Sequence, residues 1–282
     1  MLGPDDLVIT GSTLGHPPFN ALVEAAVAGG FSGVSIWPGQ TYQAARAEGR
    51  ADVDMRAVLD HHGVVVEDVD ALLVWTGPGG PGERDMAQRE AELFEAGQAL
   101  RAHYVNVAFI GDEAISVEQG AEIFAGVFDR ALERGLIAHL EFIPFMAVRD
   151  AATALQIVEA ANRPAAGILI DTWHCFRGPT TDDDLRSIPG DRVLGVQVND
   201  APSQPMDDLS EETMHHRLVP GEGDIDIVGF IRILDQIGSR APLTVEVFSD
   251  ALLAEHSPFD LAKRLGNAMR DIRARARDQD HA

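Results

Sequence analysis

The chain has one lysine and one cysteine in 282 residues. The lysine, Lys263, falls in the C-terminal helical segment, away from every strand end. Schiff-base chemistry needs a desolvated lysine in the pocket, so the sequence argues against a lysine-dependent aldolase. The single Cys175 allows no internal disulfide and fits a reducing cytoplasm. No apolar run approaches the ~18 residues of a membrane span. The N-terminus, Met1-Leu-Gly-Pro-Asp-Asp6, lacks the basic-then-apolar order of a signal peptide. Positive charge is scarce: 22 Lys and Arg stand against 45 Asp and Glu, for a net charge of -23. Such a surface repels phosphate backbones, so neither nucleic acid nor membrane is an expected partner. The glycine fingerprint of a dinucleotide fold is also missing, because Gly11-Ser-Thr-Leu-Gly15 after the first apolar run does not match it.

What is present is a repeat of short apolar runs and amphipathic segments. The runs cover residues 7–11, 33–36, 64–69, 104–108 and 136–142, and three more end at Asp171, Gln197 and Glu246. Helical periodicity follows most of them, giving eight strand-helix units at a spacing of roughly 30 residues, the pattern of a parallel sheet with crossover helices. Eight units in about 250 residues or slightly more match one (β/α)8 TIM barrel. The expected fold class is therefore α/β, a single barrel domain over residues 1–282. The Gly/Pro-rich stretch 75–82 reads as a loop, 200–226 as one long loop, and about 276–282 as a frayed tail. His61 and His62 close a helix, where positive charge is welcome. His215 and His216 read as solvated loop residues.

Four of the apolar runs end on a carboxylate or amide: Glu141, Asp171, Gln197 and Glu246. In a barrel, functional groups sit where the chain leaves the C-terminal ends of the strands. Neighbouring strands lie about 4.8 Å apart, so these four oxygens, on consecutive strands, can converge on one cation. An all-oxygen set suits a hard divalent ion such as Mn²⁺ or Mg²⁺. His174, three residues past Asp171, is placed to reach a substrate oxygen, although a single histidine is more often structural. Asp200, three past Gln197, reads as support for the ligands. Trp37, Trp75 and Trp173 fall at or just past strand ends. With Phe142 and Phe145 they are expected to wall the pocket, which would suit a cyclic or partly apolar polyol derivative.

The segments LEFIP (140–144), IDTWH (170–174), VQVND (196–200), RLVPGEGDID (217–226) and TVEVF (244–248) resemble the xylose isomerase-like TIM-barrel superfamily. That superfamily includes sugar isomerases and epimerases, inosose dehydratases and the related endonuclease IV. The resemblance is clearest from Leu140 to Phe248; the first half matches only in periodicity. In the ketose epimerase branch the metal is held by Glu, Asp, His and Glu. These map onto Glu141, Asp171, Gln197 and Glu246, with Gln in the place of His. An amide oxygen is a weaker ligand than imidazole for zinc or cobalt, which leaves manganese or magnesium ahead of them and the metal's identity open. The resemblance implies that Glu141 and Glu246 also serve as the acid/base pair. It implies that Arg217 contacts substrate from the loop before Pro220-Gly-Glu-Gly-Asp224, with Glu222 orienting Arg217 or bonding a substrate hydroxyl. A surface ion pair is the alternative for Arg217.

A divalent ion chelating a carbonyl and its neighbouring hydroxyl acidifies the adjacent C–H, and a carboxylate can move that proton. Isomerisation and epimerisation of a sugar or keto-polyol follow directly. Dehydration of an inosose-like or dehydroshikimate-like keto-polyol uses the same residues. A DNA-repair nuclease is opposed by the acidic charge and by the lack of His at most of the strand ends. A binding protein that kept the barrel without catalysis is the remaining reading. The acidic Pro220–Asp224 stretch points to an unphosphorylated substrate, and family habit implies a homo-oligomer, dimer or tetramer.

Overall fold

The computed structural model describes residues 1–77 and 80–278. Eight parallel strands close into a barrel in sequence order: β1 (Leu7–Thr10), β2 (Gly33–Ile36), β3 (Val65–Trp75), β4 (Tyr104–Ile110), β5 (Ile137–Glu141), β6 (Gly167–Asp171), β7 (Val193–Val198) and β8 (Leu243–Val245). The strands are apolar and buried because each faces the barrel interior on one side and a ring of helices on the other. The helices stop where the sequence gives them stops. Gly30, Gly63 and Gly238 follow three of them with positive φ, the left-handed cap that a side chain resists. The core lies between the strands and helices such as Phe19–Gly29, Ile227–Ile237 and Pro258–Asp278. Among the described residues, no helix is long and apolar enough to cross a membrane.

Three boundaries differ from the sequence reading. The third strand does not end at Val69 but runs to Trp75, with a shift of register against β4 between Val69 and Leu72. Alternating acids in Glu67-Asp68-Val69-Asp70 hide this continuity, yet Leu72-Leu-Val-Trp75 is the apolar run that completes it. The stretch 200–226 is not all loop, since a helix spans Leu209–His215, capped by the Asp208 carboxylate on the N–H groups of Ser210 and Glu211. The C-terminal helix extends to Asp278, so the predicted fraying at 276–278 is absent. Residues 279–282 of that tail, and Pro78 and Gly79 of the glycine-rich loop, lie outside the described residues.

Side chains two apart on a strand share a face, so the inward-facing ends stack in layers. Glu141 stands two residues above His139 and in register with Leu169, and Asp171 and Gln197 stand two residues above Leu169 and Gly195. Asp171 and Gln197 pair directly in register.

Candidate active site

Asp171 closes β6 and starts the short helix Thr172–Arg177. Its Oδ1 accepts the N–H of His174 at 3.0 Å, an N-cap bond that fixes the turn. The turn aims His174 Nε2 at Glu141 Oε1, 3.1 Å away. The Asp-x-x-His spacing thus joins the ends of β5 and β6. The other oxygen, Asp171 Oδ2, accepts from Asn199 Nδ2 at 2.8 Å and Arg217 Nη1 at 3.0 Å. Burial alone would raise the Asp171 carboxyl. The charges of Arg217 and His174 and these hydrogen bonds outweigh it and hold the group below the usual carboxylate range.

Arg217 reaches the centre from the long connection after β7. Its N–H donates to Phe248 O at 2.9 Å, and Asp200 and Leu218 form an antiparallel bridge beside it. Asp200 is the anchor of this loop. Its carboxylate accepts the N–H groups of Ala201, Gly221 and Ile225 at 2.8, 2.8 and 3.0 Å. A Cβ on Gly223 would collide with it, so glycine is required there. Asp200 thus supports Arg217 through the backbone and makes no bond to Gln197. The Arg217 guanidinium is 2% exposed. Its Nη1 lies 3.0 Å from Asp171 and 3.2 Å from Glu246 Oε2, and its Nη2 lies 2.6 Å from Thr213 Oγ1. The face of Phe248 lies 4.9 Å from it. The surface ion pair considered for Arg217 is therefore not what forms.

Two amides tie the remaining carboxylates together. Asn106 Nδ2 on β4 donates to Asp70 Oδ1 and to Glu141 Oε2, both at 2.7 Å. Gln197 Nε2 donates to Glu246 Oε1 at 2.9 Å, leaving Gln197 Oε1 buried with no partner. Asp70 and Asn106 are site residues that sequence reading missed. Asp70 stands on β3 beyond the predicted strand end and accepts weakly from Trp37 Nε1 at 3.4 Å. Burial and the Glu141 charge push its carboxyl up to about 6. Burial and the Asp70 charge likewise push Glu246 well up, against the pull of Arg217.

A cavity of about 500 Å³ opens above this cluster. Asp70, Glu141, His174, Arg217, Glu246 and Trp37 line it, and Asp171 and Gln197 lie under its floor. Among the described residues, no three His, Cys, Asp or Glu side chains are grouped so as to hold a metal ion. Arg217 is bonded to both Asp171 and Glu246.

Several predicted wall residues fall elsewhere. Trp173 is fully buried behind the site, its Nε1 donating to Glu212 at 2.9 Å. It follows Asp171 into the helix that turns inward, so it packs under Phe145 and beside His174. Phe142 is also fully buried, and neither it nor Trp75 lines the cavity. Trp75 instead meets Arg89, whose guanidinium lies 6.0 Å from its ring. Glu222 neither orients Arg217 nor faces the cavity; it pairs with Arg264 at 2.7 Å on the surface.

The chain belongs to the xylose isomerase-like TIM barrel family, whose pattern matches residues 23–273. It is 30% identical to 3-dehydroshikimate dehydratase of Pseudomonas putida over 174 residues, 60% of this chain. That match spans only 27% of the Pseudomonas protein. It is 24% identical to inosose isomerase of Bacillus velezensis over 202 residues, 69% of this chain and 71% of that one. The crystal structure of an IolI protein with a bound zinc atom superposes with a TM-score of 0.86 at 18% identity, covering 97% of this chain and 99% of the other.

Proposed function

We propose that the protein is a divalent-metal-dependent isomerase or epimerase of an unphosphorylated sugar or keto-polyol, working by proton abstraction beside the carbonyl. The observation that carries this reading is the pairing of Glu141 and Glu246. The two carboxylates end strands three apart around the barrel, line one cavity, and are each held by a neighbouring amide, from Asn106 and Gln197.

With Arg217 bonded to Asp171 and Glu246 the carboxylates are not grouped around one point, yet two features of the donor set favour a dication. Gln197 Oε1 is a buried acceptor with no partner, and buried acceptors rarely stay so. Four buried carboxylates, of Asp70, Glu141, Asp171 and Glu246, gather here with Arg217 bonded to only two of them, and burial with carboxylate–carboxylate repulsion pushes Asp70 and Glu246 up. Glu141, Asp171, Gln197 and Glu246 would hold the ion, with manganese or magnesium favoured by the oxygen set. When bound, such an ion polarises a substrate carbonyl and its neighbouring hydroxyl. The zinc atom bound by the IolI protein, which shares this fold, supports a divalent metal without fixing its identity.

The chain's own residues supply the rest. Glu141 is positioned as one proton acceptor, with His174 Nε2 at 3.1 Å to receive or return the proton. Glu246 lines the same cavity on the opposite strand end and serves as the second proton carrier, its carboxyl raised by burial and by the Asp70 charge. Arg217 and His174 bind substrate oxygens, and Asp200 holds the Arg217 loop in place. Trp37 and Phe145 line the upper cavity with apolar surface. A second reading, loss of a β-hydroxyl from the same carbanion, is favoured by the 30% likeness to 3-dehydroshikimate dehydratase.

The test is solvent exchange. Keto-polyols and keto-sugars are incubated with the Mn²⁺-loaded protein in deuterated water and followed by NMR. The expected result is deuterium at the carbon beside the carbonyl, falling by about 10²-fold or more in Glu141→Gln and in Glu246→Gln. New ultraviolet absorbance with loss of water would select dehydration. No turnover of either kind by the parent would leave a binding role.

A further inference from the structure

The cavity is larger and more apolar than a bare sugar requires. At about 500 Å³ it lies within the range of about 300–1,000 Å³ that holds drug-sized ligands. Gln40, Gln43, Arg89, Glu92 and Ser210 add polar groups to its lining, and Asp70, Glu141, His174, Arg217 and Glu246 form its floor. Above them, Leu73, Ile110, Phe145, Met214 and Phe248 with Trp37 form an apolar ring. Leu73 and Ile110 lie in the last residues of β3 and β4, and Trp37, Phe145, Met214 and Phe248 lie in the connections after β2, β5, β7 and β8. None of these side chains is fully buried, and Leu73 and Met214 are 39% and 40% exposed. Six apolar side chains left open toward one cavity mark a surface awaiting a ligand. Trp37 and Phe248 meet edge to face, with centroids 5.7 Å apart. That arrangement leaves room for a further aromatic partner in the same geometry, and Met214 is a soft thioether of the kind that packs against rings.

We infer that this upper ring is a binding subsite for an aromatic substituent, so that the substrate is a keto-polyol ring carrying an aryl group. The inference rests on the polyol reading of the floor. The polyol ring meets Glu141, Glu246, His174 and Arg217, and the aryl group lies between Trp37 and Phe248 on one side and Leu73 and Met214 on the other. The extension of β3 past Asp70 is what raises Leu73 into this position. The subsite also explains why so much apolar surface is kept at the mouth of a strongly acidic protein.

The probes are phenyl β-D-glucoside and methyl β-D-glucoside, which share one polyol ring. The full chain is titrated with each, and bound contacts are mapped by saturation-transfer NMR. The phenyl compound is expected to bind about tenfold more tightly, the return for burying one ring. Its aromatic protons should receive the larger share of saturation. Leu73→Ser/Met214→Ser, with Met214→Ser alone as a milder variant, should reduce both the affinity ratio and the aromatic saturation. Equal affinities, or aromatic saturation that survives the double substitution, would overturn the subsite. Deuterium exchange on bare keto-sugars together with no aryl preference would remove the subsite alone. Aryl preference without any exchange would remove the isomerase reading and keep the subsite.

Discussion

Gln197 gives its amide N–H to Glu246 at 2.9 Å and keeps its own oxygen buried without a partner. An unmet buried acceptor costs about 1–3 kcal/mol, so the arrangement is costly unless a cation takes up the oxygen. Gln197→Leu removes both the orphan oxygen and the bond to Glu246. Calorimetric titration with Mn²⁺ should show affinity reduced by about tenfold or more. Thermal unfolding in chelator should show little loss of stability. Equal Mn²⁺ affinity in the two proteins would remove Gln197 from the ligand set.

Asp70 makes a prediction of opposite sign for stability. Its folded carboxyl is raised from 3.8 to about 6, so the folded state binds the proton more tightly than the unfolded chain. Its favourable contribution is full below about 4 and is lost as pH rises through about 6. Asp70→Asn keeps a neutral group at all pH values. The variant should match the parent near pH 4 and become more stable above pH 6, by about 1–3 kcal/mol. Denaturant unfolding of the metal-free proteins across pH 4–8 measures the gap. Activity should fall in the same variant, because Asp70 lines the cavity beside Glu141 and Glu246.

His139 lies one layer below Glu141, stacked on Tyr104 at 5.6 Å, with both ring nitrogens buried and unpartnered. Burial pushes its imidazole down from 6.5 to about 3. The unfolded chain therefore binds a proton that the folded protein refuses between those values. Acidification from pH 6.5 toward 3 should destabilise the parent through this group by up to about 1.4 kcal/mol per pH unit. His139→Phe retains the stack and removes the titration. Its stability relative to the parent should rise steadily as pH falls from 6.5 to 4, and a constant difference would contradict the assignment.

Gly195 is fixed by the same histidine. A Cβ there would stand 2.7 Å from His139 Cε1 and 2.9 Å from Nδ1. The ring cannot retreat because Tyr104 backs it. Gly195→Ala should cost about 1–3 kcal/mol, and less in a His139→Ala background. A double-mutant cycle on urea midpoints checks the coupling.

The sequence made the second half of the barrel legible because its apolar strands stop abruptly on oxygen-bearing side chains. Glu141, Asp171, Gln197 and Glu246 all stand at strand ends, and Asp-x-x-His does bring His174 to Glu141. Asp70 and Asn106 escaped for a physical reason. β3 carries acids inside an otherwise apolar strand, so Glu67-Asp68-Val-Asp70 ends the pattern too early, and Asn106 sits mid-strand in Tyr104–Ala108. Trp173 and Glu222 misled in another way. Trp173 is adjacent in sequence to His174 and Glu222 lies five residues past Arg217, but a short step along a helix or turn points a side chain elsewhere. Trp173 therefore packs behind His174, and Glu222 reaches Arg264. Neighbourhood in sequence located the mouth, and direction required coordinates.

The most direct test of the central claim is the metal content of the purified protein by mass spectrometry, for the parent and Glu246→Gln side by side. A divalent-metal proton-transfer site predicts about one equivalent of a divalent ion in the parent, or its uptake when Mn²⁺ is added, and a clear reduction in the variant. No metal in the parent and no uptake of Mn²⁺ would contradict the account. The cluster would then be a hydrogen-bonded carboxylate network with Arg217 as its cation.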